Sequence, residues 1–131
     1  MNRYVVEKFA RESIDYIANH RMADGIDRLV AKSMPMHCAI HKVDVENNQQ
    51  EYSLLHSHED QDELNIIIND KDHDLIYRFV VDDEEFELSA PACIWMPAKV
   101  HHNANVIQGR GTFVCMRFPE NSLRTAAPDP E

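Results

Sequence analysis

The residues best suited to chemistry stand in one stretch, His56-Ser57-His58-Glu59-Asp60-Gln61-Asp62-Glu63, followed by the run Leu64-Asn65-Ile66-Ile67-Ile68. On an extended chain, side chains two apart point to the same side, so His56 and His58 present two imidazoles together while Glu63 arrives on the next strand. A third imidazole is on offer further on, in Ile94-Trp95-Met96-Pro97-Ala98-Lys99-Val100-His101-His102-Asn103. Either His101 or His102 could supply it. Three imidazoles and one carboxylate form a borderline donor set that suits one divalent transition metal ion, Fe and Zn foremost, with Mn, Ni and Cu also compatible.

Such a site needs strands around it, and from residue 36 onward the chain supplies them. Short runs rich in Val, Ile, Tyr and Phe alternate with polar or Gly-containing turns, the pattern of an all-β sandwich or barrel. Strands are expected near 36–45, 51–56, 63–68, 75–81, 85–88, 93–96, 104–107 and 112–118. Asp82-Asp83 and Gln108-Gly109-Arg110-Gly111 read as hairpin turns. Before residue 36, Val6, Phe9, Ala10, Ile14, Ile17 and Ala18 fall at helical spacing with charged residues between them. A shorter helical turn is expected around Ile26, Leu29 and Val30, with Asp24 as its N-cap, and Pro35 closes this section. The domain organisation that follows is an N-terminal helical segment over 1–35 packed on a barrel over 36–118, then a flexible tail over 119–131.

At 131 residues the chain is long enough for one domain with one core. It carries 13 Lys+Arg against 23 Asp+Glu, a formal net charge of −10, which repels nucleic-acid phosphates and anionic membrane surfaces. Neither is expected as a partner. The acidic groups gather at 59–63, 70–74 and 82–87, near turns, where a solvated surface is the ordinary reading; in the first cluster a carboxylate could also orient a ligating imidazole. The three cysteines form no C-x-x-C pair, and no apolar run is long enough to span a bilayer. A cytoplasmic location is expected.

The arrangement His-x-His-x4-Glu, followed much later by Pro-x-x-x-x-His, resembles the cupin superfamily over residues 36–118. The resemblance implies a small jelly-roll barrel with an N-terminal helical segment beside it, and a metal held by His56, His58, Glu63 and His102, since His102 stands five after Pro97. The turn glycines of the family are replaced here by Asp70, Pro91 and Lys99, of which the last two imply a different local geometry.

Other residues are read more plainly. Asn65 shares strand parity with Glu63 and is expected beside the metal. Arg78 and Arg117 lie in otherwise apolar strands, where each either reaches solvent or faces inward as a clamp for a substrate carboxylate. These three are the candidate substrate contacts. His37 and His41 share one face of the first predicted strand as structural or surface residues, and His20 and His73 are expected in solvent. Trp95, Met96 and Cys115 are read as packing.

The resemblance implies an enzyme acting on a small polar molecule, with oxygen-dependent dioxygenation as the leading reaction. A non-redox zinc enzyme, an isomerase, lyase or N–N bond-forming catalyst, is the alternative; Asp62-Glu63-Leu64-Asn65-Ile66-Ile67 looks like the cupin modules of the last kind. A non-catalytic cupin that binds metal or ligand is the third reading. Strands apolar on both faces and an amphipathic N-terminal helix together predict a homodimer.

Overall fold

A computed structural model of the chain describes residues 3–47 and 51–120. The tail expected over 119–131 lies almost wholly outside them. Eight strands follow in order: β1 Ala10–Arg11, β2 Ile26–Ala31, β3 His37–Val45, β4 Gln61–Asn69, β5 Leu75–Val81, β6 Glu84–Ser89, β7 Ala92–Met96 and β8 His102–Pro119. Every pairing between them is antiparallel.

The last strand organises the rest. Its second half, from Gly109 or Gly111 onward, is flanked by β3 on one side and β4 on the other, in a layer ordered β1-β2-β3-β8-β4-β7. Its first half, from His102 to Gly109, pairs with β5, which in turn pairs with β6. A bulge at Ile107, between the pairs Tyr77–Val106 and Ile76–Gln108, adds twist where the strand passes from one layer to the other. Between the layers lies a single core, with Val43, Ile67 and Phe113 from one and Leu75, Tyr77, Phe79, Ala104 and Val106 from the other. Tyr77 stacks on Phe113 with ring centroids 4.8 Å apart.

Gln108-Gly109-Arg110-Gly111 is therefore not a turn. The glycines are needed for close approach: a Cβ on Gly109 would stand 2.1 Å from the Asp74 carbonyl oxygen, and one on Gly111 would stand 2.1 Å from that of Ile68. Asp82-Asp83 does join β5 and β6 as a hairpin, with Asp82 at φ 52°.

The N-terminal helical segment does not form. Among the described residues its only helical piece is a single 3₁₀ turn, Ile14–Tyr16, which inserts the buried Ile14 into the core. Val6, placed on the expected helical stripe, is 84% exposed. Tertiary anchors outweigh that weak helical preference. Ala10 and Arg11 pair with Val30 and Leu29, the Glu12 amide donates to the Arg28 carbonyl, and the Glu7 carboxylate accepts the amides of Lys32 and Ser33. The expected helical turn at Ile26–Val30 is strand β2. Its period-two pattern was hidden because one inward position holds a charge, Arg28, which is 2% exposed.

The expected strand over 51–56 is replaced by an extended segment with isolated bridges at Ser53 and His56. A side chain stands in for the missing ladder. The buried Asn105 accepts the amides of Tyr52 and Ser53 on Oδ1 and donates from Nδ2 to the Ser53 carbonyl.

Candidate metal centre

Each donor of the His/Glu set is positioned by backbone pairing. His56 and His102 face each other across a two-way bridge, with the His102 amide donating to the His56 carbonyl at 2.8 Å and the reverse bond at 3.1 Å. Glu63 stands on β4 between Met96 of β7 and Arg117 of β8. His58 sits in the loop ahead of β4, its carbonyl accepting the Lys99 amide at 2.7 Å. Lys99 adopts φ 75°, the left-handed conformation that favours glycine, so this turn keeps a glycine-like backbone despite the lysine. That corrects the expectation of a different geometry at this position. The neighbouring Ala98 amide donates to the buried Asp62 carboxylate at 2.8 Å, so Asp62 anchors the loop that precedes His102.

The four side chains converge. One donor atom from each of His56, His58, Glu63 and His102 lies within 4.8 Å of the other three. Two ligands about 2.1 Å from one ion stand no more than about 4.2 Å apart, so a spread of at most 4.8 Å brings the four donors close to the reach of a single ion. The ring orientations agree. Nδ1 of His56 lies 2.6 Å from the Leu54 carbonyl and Nδ1 of His102 lies 3.1 Å from that of Val100, so both rings donate there and turn Nε2 into the cluster. Nε2 of His102 is buried without a hydrogen-bond partner, 3.3 Å from Oε1 of Glu63. A buried ring nitrogen left unpartnered beside a carboxylate fits a cation between them. His101, the neighbouring candidate, is exposed.

Electrostatics favour positive charge at this point. Burial raises the Glu63 carboxyl, but contacts with His102 and His58 and the Asn65 amide outweigh it and hold the group well below the usual carboxylate range. Burial lowers His102, and the Glu63 carboxylate beside it reverses the shift and raises the imidazole above its ordinary value. A proton on His102 and a metal on its Nε2 thus compete for one place. His56 has no such partner, and burial depresses it to about 4.

The donors open onto a cavity of about 310 Å³. Six of the eight histidines line it, including His20, His37 and His41, which were expected in solvent or as plain structural residues. Strand parity put His37 and His41 on one face but could not say which face looked inward. His20 lies edge-on to His56, with ring centroids 5.7 Å apart. His73 is exposed as expected. Arg117 lines the cavity, and its Nη1 lies 3.5 Å from Nδ1 of His58. Asn65 does not line it; its Nδ2 donates to Oε2 of Glu63 at 3.0 Å and orients that carboxylate. Arg78 departs from the expected set of substrate contacts, for it lies on β5 away from the cavity with Nε 3.5 Å from Glu85. Trp95 stacks on Phe118, and Met96 is buried. Cys115 lines the cavity with a thiol that burial pushes well above its ordinary range, which keeps it neutral. Arg28 is a cavity residue that the helical reading of its segment concealed.

Buried neutral histidines make the fold acid-sensitive. Burial lowers His37 to about 4 and His41 to about 3, against 6.5 for either in an unfolded chain. Between those values the unfolded state binds more protons, so stability is full above about pH 6.5 and falls as the pH drops toward 4. The urea midpoint of metal-free protein is therefore expected to be clearly lower at pH 5 than at pH 7. Equal midpoints would contradict the placement of these two rings.

No family model and no curated protein matches the sequence. Solved structures do match in fold. An RmlC-like cupin from Shewanella frigidimarina is 15% identical, with a TM-score of 0.55 over 79% of this chain and 84% of that one. A predicted oxalate decarboxylase from Thermotoga maritima is 15% identical, with a TM-score of 0.57 over 85% of this chain and 91% of that one. The structure of FeII HppE is 9% identical, with a TM-score of 0.59 over 88% of this chain and 60% of that one. This chain has the cupin fold.

Among the described residues no helix is long and apolar enough to cross a membrane.

Proposed function

We propose that this chain is a metal-dependent cupin enzyme acting on a small polar molecule, with His56, His58, Glu63 and His102 as the ligands and an oxygen-dependent, dioxygenase-type reaction as its chemistry. The carrying observation is the convergence of four donors around the unpartnered Nε2 of His102. A divalent ion there supplies Lewis acidity and, when it is iron, redox chemistry toward O₂. The FeII form of one structural neighbour supports the redox reading. Four protein donors would hold the ion and would still allow it a further ligand, as a reacting centre requires. The chain's own residues do the rest: the Leu54 and Val100 carbonyls fix two tautomers, Asn65 fixes the carboxylate, and the cavity admits a small molecule.

Metal analysis of protein purified without chelator tests this, followed by oxygen uptake with candidate substrates. Near-stoichiometric iron and oxygen consumption are expected. Zinc without oxygen uptake would move the assignment to a non-redox zinc enzyme, and a protein with neither metal nor turnover would leave a non-catalytic binding module.

We infer also that the protein is cytoplasmic, in keeping with three free cysteines, and that it forms a homodimer. Tyr4, Val6 and Tyr16 are 72%, 84% and 81% exposed, and they flank β1, the edge strand of its layer. An exposed strand edge beside uncovered apolar groups invites pairing with a second copy. Light scattering is expected to give twice the 15.2 kDa chain mass. A monomer at high concentration would remove this inference.

A further inference from the structure

The charge of the cavity opposes the charge of the protein. In a chain of net charge −10, the described residues of the cavity walls include two arginines, Arg28 and Arg117, and a single carboxylate, Glu63. The two arginines come from different strands, β2 and β8, yet are held alike. Nη1 of Arg28 donates to Glu12, and Nη1 of Arg117 approaches Nδ1 of His58 at 3.5 Å. In both, Nε is buried and has no hydrogen-bond partner.

A buried N–H left unsatisfied is costly, and more so on a charged group. Two such groups on one cavity point to a ligand that satisfies both. The Glu12 carboxylate does not cancel the charge, because Lys32 Nζ shares it at 3.0 Å and two cations then face one anion. Among the described residues Arg117 makes no ion pair at all. His20 and His37 line the same cavity as the two arginines. Both guanidinium groups border the cavity, and a group of this planar shape can offer a carboxylate two parallel N–H bonds. A cavity of about 310 Å³ limits the ligand to a small molecule.

We propose that Arg28 and Arg117 form an anion-binding wall and that the molecule taken into this cavity is a small carboxylic acid, bound as its carboxylate. This rests on the metal-centre reading only for where the rest of the ligand lies, toward His56, His58, Glu63 and His102.

The probe is lactate, titrated calorimetrically into metal-loaded protein, with its neutral isostere lactamide and inorganic phosphate as comparisons. Lactate is expected to bind at least about tenfold more tightly than either, since losing a charge-assisted hydrogen bond costs about 1.5 kcal/mol or more. Arg117→Met and Arg28→Met, each titrated after metal loading with the metal content of the sample measured, are expected to weaken lactate about tenfold per metal-loaded protein. Arg28 is buried in an ion pair, so thermal unfolding establishes whether its variant is folded; if it is not, Arg117→Met, at a half-buried position, decides alone. Lactamide binding as tightly as lactate, tighter binding of phosphate, or unchanged lactate affinity in folded Arg117→Met protein would overturn the proposal. If the wild-type protein holds no metal, the metal-centre reading fails separately, and the arginine dependence is still measured on the metal-free protein.

Discussion

Glu63→Ala and His58→Ala proteins are expected to come through purification folded but without metal. Each variant removes one of four donors, and the affinity for a divalent ion should fall by at least about a hundredfold, more than the 10- to 100-fold typical of groups that only orient a ligand. The fold should survive because the two jobs are separated in space: none of the four donors belongs to the apolar core cluster. Removing the Glu63 carboxylate leaves Nδ2 of Asn65 without its acceptor, a cost of about 1–3 kcal/mol. That is a fraction of the total stability of a domain this size. Metal analysis by mass spectrometry together with urea denaturation checks both halves. Wild-type metal content in both variants would remove these residues from the ligand set.

Gly109→Ala is expected to do the opposite, destroying the fold without touching the site. The added methyl group would stand 2.1 Å from the Asp74 carbonyl oxygen and 2.5 Å from Cα of Leu75, at a backbone φ of 120°. Both neighbours are backbone, so no side chain can swing aside to relieve the clash. Strain at such a φ adds about 1–3 kcal/mol to the overlap, and a total loss of about 4 kcal/mol or more approaches the whole stability of a small domain. Insoluble expression or a strongly lowered urea midpoint is the expected result. A variant that unfolds at the wild-type urea concentration would show that the strand does not pass Asp74 as described.

The convergence of His56, His58, Glu63 and His102 was legible in the sequence because its signal is local. His56 and His58 are two apart, Glu63 opens an apolar strand, and alternation alone puts such residues on one side. The spacing from Pro97 pointed to His102, and the structure turns that ring inward while His101 faces solvent. Most strands were legible for the same reason, with Leu75–Val81 matching at both ends. What escaped is long-range. A glycine pair marks a turn or a close approach equally well, and only the partner strands, unseen in a sequence, decide between them. Arg28 broke the alternation of β2 because the carboxylate it meets inside, that of Glu12, stands sixteen positions earlier in the chain. Asn105 holds residues 52 and 53 with a side-chain amide, a pairing that no hydropathy pattern records.

Strand β8 pairs with β3, β4 and β5, and through them it completes both layers. During synthesis on the ribosome the earlier strands therefore emerge without the neighbour they are built to flank. Hairpins such as β5–β6 can close at once, but neither layer is whole until Pro119 has cleared the exit tunnel. For a nascent chain of this kind, the interval before β8 emerges leaves hydrogen-bonding edges of β3, β4 and β5 uncovered, and it is then that holding chaperones matter most.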